Sequence, residues 1–362
     1  MTKELVERVK SADKAFFIRL GVGGGLTEKC IKNGHLVIGH PEVSHKMASL
    51  VYESPQHEVR NIIRQEFQKC LGGSAQRAGR YPPQVMDFYT GGDYHSEGAG
   101  TGKNTLWITF WNMRLWWTFA EGRAKSGRDL PKGSYPGADY SKGSGPRRPG
   151  GYHWRETTGW RYKSLAGDAL FFVNVGGCVT KSRGTRGTLC AIHDGADNGY
   201  PRRHLKCLIL GEEDREIAPW KSLRDDKLKR ESARVLLVRL NAWQTERLVD
   251  KLFEKQGWKR VSPLGGQQPV TDFIARRGNS LALVQVKSGA SQDRYNGFRD
   301  QVRHIVNGGK EGECVPYFAH HSGVITPGDG DGVKIWDREK LLNEILSDES
   351  GEVYEWMRRR VG

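Results

Sequence analysis

Thr271-Asp272-Phe273-Ile274-Ala275, then Arg276-Arg277-Gly278-Asn279, then Ser280-Leu281-Ala282-Leu283-Val284-Gln285-Val286-Lys287 is the stretch on which the fold turns. Two short runs rich in β-branched and apolar residues flank an Arg-Gly-Asn turn, the pattern of a β-hairpin. Side chains alternate across a strand, so Gln285 and Lys287 project from one face and Val284 and Val286 from the other. A turn centred on Gly278 places Asp272 across from Val284 and Gln285. A carboxylate, a carboxamide and an ammonium group therefore meet at one sheet edge. A hard cation such as Mg²⁺ takes oxygen ligands, and Asp272, Gln285 and the Val286 carbonyl supply them. Lys287 would position a water or offset negative charge on phosphorus. Gln285 is neutral, so further negative charge is needed, and Glu246 on the preceding helix is the candidate.

Outward from the hairpin, Ala242 to Gln256 reads as a helix closed by Gly257, with positions 248, 249, 252 and 253 on one face. Arg294 to Val306 reads as a second amphipathic helix. Val315 to Ile325 contains a strand, Val333-Lys334-Ile335-Trp336 is another, and Asp337 caps a last helix with Leu341, Leu342, Ile345 and Leu346 inward. The order is α-β-β-α-β-β-α, an α/β sandwich.

Thr245-Glu246-Arg247-Leu248-Val249, Gly257-Trp258, Thr271 to Ala275, Val284-Gln285-Val286-Lys287 and Val333 to Asp337 together resemble an Mrr-type restriction endonuclease. That family belongs to the PD-(D/E)xK superfamily and often has glutamine at its second motif position. The resemblance covers roughly the last 120 residues. It implies a mixed αβββαβ-type sandwich and a Mg²⁺- or Mn²⁺-dependent endodeoxyribonuclease, with Asp272, Gln285 and Lys287 catalytic. The chain departs from the family in placing Pro269-Val270-Thr271 between Gly265-Gly266 and the acid.

The rest of the chain differs in charge. From position 240 onward there are 18 Lys/Arg against 17 Asp/Glu, which leaves 39 against 25 in the first 239 residues. Nearly all of the formal +15 lies in the N-terminal part, a field that attracts a polyanion. Residues 121–163 are rich in Gly, Pro and Ser, carry ten Lys/Arg against four Asp/Glu, and read as a long surface loop. Arg147, Arg148, Arg155 and Arg161 are its candidate phosphate contacts. Trp107 and Trp111, in a tryptophan-rich segment, are candidate base contacts. Phe17 to Gly21, Gly24-Gly25-Leu26 and Ile38-Gly39 resemble PUA-like or EVE-like modules, which implies a small β barrel holding a flipped, modified base.

The expected organisation is a β-rich α+β recognition domain over 1–211, a charged linker over 212–239 and the nuclease domain over 240–362. Short strands are expected at 15–20, 36–39, 106–119, 169–173, 187–191 and 204–210, and helices at 26–33 and 57–71. Gly21 to Leu26 lacks the third glycine of a dinucleotide loop. Gly102-Lys103 lacks the first glycine of a phosphate loop, and His320-His321 lack further ligands at useful spacing. No run approaches a membrane span, and six cysteines without a CxxC pair suit a reducing cytoplasm. The expected function is a restriction or defence endonuclease acting on duplex DNA, modified bases included. A homodimer is expected because cutting two strands needs two active sites. The alternatives are a nucleic-acid sensor with an inactive nuclease fold and an effector nuclease activated by a small nucleotide.

Overall fold

The computed structural model describes residues 3–21, 24–40, 42–70, 75–92, 104–126, 152–184, 187–195, 199–214, 217–264, 270–307, 314–328 and 330–361. Helices and mixed sheets place the chain in the α/β class. It divides into two units. One comprises Met1–Val175, Lys181–His193 and Leu205–Glu212, and the other Gly176–Thr180, Asp194–His204 and Glu213–Gly362. Among the described residues, no helix is long and apolar enough to cross a membrane.

The first unit contains α1 (Lys3–Ser11), β1 (Lys14–Ile18), α2 (Thr27–Asn33), β2 (His35–Gly39), α3 (His45–Ser49), α4 (Gln56–Cys70) and α5 (Ala75–Thr90). β3 (Thr105–Trp111), β4 (Arg114–Ser126), β5 (Tyr152–Thr157) and β6 (Leu189–Ala191) follow. Its described sheet runs β2-β5-β4-β3-β1-β6, with β1 and β3 parallel and the other pairs antiparallel. Val59, Ile63 and Phe67 of α4 lie at helical spacing and are buried against Leu36, Ile38, Trp107 and Trp154 of the sheet. The stretch expected as a loop over 121–163 is partly strand: β4 runs on to Ser126 and β5 begins at Tyr152.

The second unit contains α6 (Gly177–Thr180), the start of α7 (Pro201–Leu210), α8 (Asp226–Arg239) and α9 (Ala242–Lys255). β7 (Lys259–Arg260), β8 (Phe273–Arg277), β9 (Ser280–Lys287), α10 (Gln292–Asn307), β10 (Cys314–His320), β11 (Lys334–Trp336), α11 (Arg338–Leu346) and α12 (Glu352–Val361) complete it. The sheet runs β11-β10-β9-β8-β7, with β9, β10 and β11 parallel and β7, β8 and β9 antiparallel. Val284 and Val286 face one core with Leu248, Val249, Leu252 and Phe253 of α9. Leu283 faces another, with Tyr295, Phe298 and Val302 of α10. Asp337 caps α11 by accepting the Lys340 N–H at 2.8 Å.

Three expectations fail here. The strand expected at 169–173 is two isolated bridges, at Ala169 and Phe171, followed by a 3-10 turn from Phe172 to Asn174. His204 to Leu210 is helix, not strand, because a short apolar run fits either period and packing decides. Within the segment expected as a linker over 212–239, residues 226–239 form α8, part of the second unit's core. Apart from Arg239, the charged residues of α8 lie at its start and on its outer side, whereas Val235, Leu236 and Leu237 are buried in the same core as α9. Averaged over the segment, charge hides that apolar run. At the end of α8, Arg239 is fully buried and donates to Asp214 Oδ2 at 2.6 Å and to the Gly199 carbonyl at 2.9 Å. Arg203 holds the other oxygen of Asp214 at 3.0 Å.

Removing one partner of a buried pair strands the other charge away from water. Asp214→Ala is therefore expected to cost about 3–5 kcal/mol of stability. Urea unfolding measures it, and an unchanged midpoint would show that Arg239 needs no counter-ion.

Candidate functional site

Arg277 pairs with Ser280, so the hairpin turn is the two residues Gly278-Asn279, and Phe273 pairs with Val284. Gly278 sits at φ 59°, the left-handed region such turns require. One residue before β8 begins, the Asp272 N–H still reaches the Val284 carbonyl at 2.9 Å. The side chain of Asp272 then takes the place of the missing strand. Its Oδ2 accepts the Val286 N–H at 2.7 Å and Lys287 Nζ at 3.2 Å, and the Gln285 amide nitrogen also donates to it. A strand residue's N–H and C=O point to the same edge, so the Val286 carbonyl faces this side too.

Helix α9 brings Glu246. A reciprocal capping box between Asn241 and Gln244 fixes its start, and Leu248, Val249, Leu252 and Phe253 bury its inner face. The half-buried Glu246 carboxyl is raised above the usual range, first by desolvation and then by Asp272, with Lys287 opposing. Both groups of the hairpin thus act on Glu246. The loops beyond the strands are closely packed: the Ala290 N–H donates to the Ser322 carbonyl at 2.8 Å, and Gly323, at φ 86°, approaches the Ala290 carbonyl too closely for any side chain.

Among the described residues no three or more His, Cys, Asp or Glu side chains cluster as a metal cage. The edge instead offers two carboxylates, the Gln285 carboxamide and a strand carbonyl. That all-oxygen, incomplete set fits a hard cation that keeps water ligands, as Mg²⁺ does. Turning the Gln285 amide over presents Oε1 to Asp272 in place of Nε2. No family profile, curated protein or solved structure matches this chain.

The first unit treats its expected contacts differently. Trp107 is fully buried and stacks on Phe16 at 5.3 Å, so it is core and touches no base. Trp111 is half-buried beside Trp116 at 5.9 Å. Arg155 is fully buried, donating to the carbonyls of Phe88 at 3.0 Å and Gly122 at 2.8 Å, and is closed to phosphate. Arg161 donates to the carbonyls of Thr158 and Gly159 and lies over the Trp117 ring. Arg147 and Arg148 lie outside the described residues.

Beside Arg155 runs a polar chain absent from the sequence reading. His153 Nε2 meets the His40 carbonyl at 3.3 Å, which forces that nitrogen to carry a proton. Neutral His153 then accepts from the Tyr89 hydroxyl at Nδ1, 2.7 Å away, and Tyr89 accepts from His45 Nδ1 at 2.7 Å. The period of two in Tyr152-His153-Trp154-Arg155 pairs His153 with Arg155 on one face, the one signal that could have placed both inward.

Two outcomes are expected. Asp272→Asn should lower the Glu246 pKa and Lys287→Met should raise it, read by carboxyl NMR; no movement in either would place Glu246 away from the hairpin. Burial holds His153 down to about 4 and His40 to about 3, against 6.5 in the unfolded chain. The unfolded state thus binds more protons below 6.5, so this stability is complete above that pH and lost as pH falls towards 4 and 3. A His153→Gln variant should show a shallower loss of urea midpoint between pH 6.5 and 4, and an identical pH profile would count against the buried neutral ring.

Proposed function

We propose that the protein is a metal-dependent endonuclease, with its second unit hydrolysing a phosphodiester bond of DNA. The observation that carries this reading is the convergence of Asp272, Gln285 and Lys287 on the edge of β9, with Glu246 beside them. We read the second unit as a restriction-endonuclease-like sandwich of Mrr type, for which its strand order and the QxK spacing on β9 are the support.

Asp272, Glu246, Gln285 and the Val286 carbonyl would hold Mg²⁺ or Mn²⁺. Such a cation polarises the phosphate and lowers the pKa of water. The residues of the chain do the rest. Lys287, on the same face as Gln285, directs an N–H at the attacking water or at the non-bridging oxygens, where negative charge grows. Asp272, held by the Val286 N–H, keeps its second oxygen for the cation. Glu246 supplies the charge that Gln285 lacks. The first unit carries 29 Lys/Arg against 17 Asp/Glu, an excess that supports its recognition of DNA in the manner of a PUA-like or EVE-like module. Duplex cleavage by a homodimer in the cytoplasm completes the reading.

Asp272→Ala and Lys287→Ala are each expected to lower Mg²⁺-dependent cleavage of duplex DNA at least about a thousandfold while DNA binding persists. Gln285→Glu should retain cleavage at lower Mg²⁺, and Glu246→Gln should require more. A panel of modified and unmodified duplexes, scored by gel, decides. Full cleavage by either alanine variant removes the assignment. Binding without cleavage by the intact protein would make it a sensor, and cleavage only with an added nucleotide an effector.

A further inference from the structure

The first turns of α9 carry more than Glu246. Trp243, one turn earlier, is 50% exposed, although the chain buries most of its tryptophans. Arg247 lies over its ring, 5.2 Å from guanidinium carbon to centroid. Residues three and four apart share a helix surface, so exposed Trp243 and half-buried Glu246 and Arg247 form one patch. The Arg247 Nε is enclosed and has no hydrogen-bond partner among the described residues. Asp250, one turn further on, is engaged by Arg260 at 3.4 Å. Helix α12 meets α9 at this turn: the Gln244 amide donates to the Arg360 carbonyl at 3.3 Å, and Arg360 is exposed.

An indole paired with guanidinium groups matches a nucleic-acid strand: the ring stacks on a base, and the cations meet phosphates. In a paired duplex each base face is covered by its neighbours. A tryptophan on a helix surface can therefore stack only on a base that is unpaired or turned out. We propose that Trp243, Arg247 and Arg360 grip the DNA strand beside the scissile phosphate, Trp243 stacking on an unpaired base and the arginines holding flanking phosphates. The proposal rests on the nuclease reading of the same edge, and it narrows the substrate to DNA with an unstacked nucleotide next to the cut.

The test uses the full-length chain. Duplexes with 2-aminopurine in a one-nucleotide bulge, and matched fully paired duplexes, are bound to Asp272→Ala protein. The bulged probe should be quenched and bound about tenfold more tightly than the paired one, a difference of one base stack. Adding Trp243→Ala should abolish both effects, and Trp243→Phe should restore most of them. Arg247→Gln and Arg360→Gln should each flatten the salt dependence by about one phosphate contact. With Asp272 present, the Trp243→Ala loss should fall on KM for the bulged substrate and not on kcat. Equal binding of the two probes, or quenching that survives Trp243→Ala, would leave Trp243 and Arg247 as a surface pair and overturn the proposal. Normal cleavage by Asp272→Ala would instead remove the catalytic reading, and the fluorescence result would stand apart from it.

Discussion

The bond from the Val286 N–H to the Asp272 carboxylate holds the candidate site of the second unit in place. Strand β8 begins at Phe273, so the next amide along β9 would face an empty edge. A charge-assisted hydrogen bond there is worth about 1.5–3 kcal/mol, and an unsatisfied amide would cost a similar amount. By filling that position, Asp272 becomes both the end of the sheet and the anchor of the site. The carboxylate is fixed by backbone, its second oxygen is left over, and Lys287, the next residue along, is drawn to it. Stability and the proposed chemistry therefore draw on the same side chain.

The setting of that edge follows from the two faces of β9. Val284 and Val286 bind it to α9, which carries Glu246 to the hairpin, while Leu283 binds it to α10. A helix on either side leaves only the strand ends open. Polar groups gather there because they have nowhere else to meet solvent. The parallel run β9, β10 and β11 ends on this side, where ligands of open α/β sheets are found.

The first unit shows how misleading a composition can be. Its tryptophans and arginines suggest a nucleic-acid surface, yet Trp107 and Arg155 are among the most buried side chains in the molecule. An arginine inside a domain is tolerable when its fork meets carbonyls, as Arg155 does at Phe88 and Gly122. The polar chain of His45, Tyr89 and His153 is satisfied in the same way. The basic character of this unit is a property of its total charge, and its buried arginine contributes nothing to a surface contact.

Much of the second unit was legible in the residues. The alternation through Leu281 to Lys287, the Gly278-Asn279 turn, the face of α9 and the Asp337 cap are local patterns, set by backbone geometry within a few residues. They suffice to bring Asp272, Gln285 and Lys287 to one edge. Three features depended on contacts between distant segments. Residues 226–239 became a helix with its last turns buried, and its end is held where Asp214 and Gly199 receive Arg239. His204 to Leu210 became helical where its period was ambiguous. Arg155 turned inward because carbonyls from α5 and β4 were waiting for it. Periodicity says which residues share a face, but only the fold decides which face is covered, since burial is settled by partners far away in sequence.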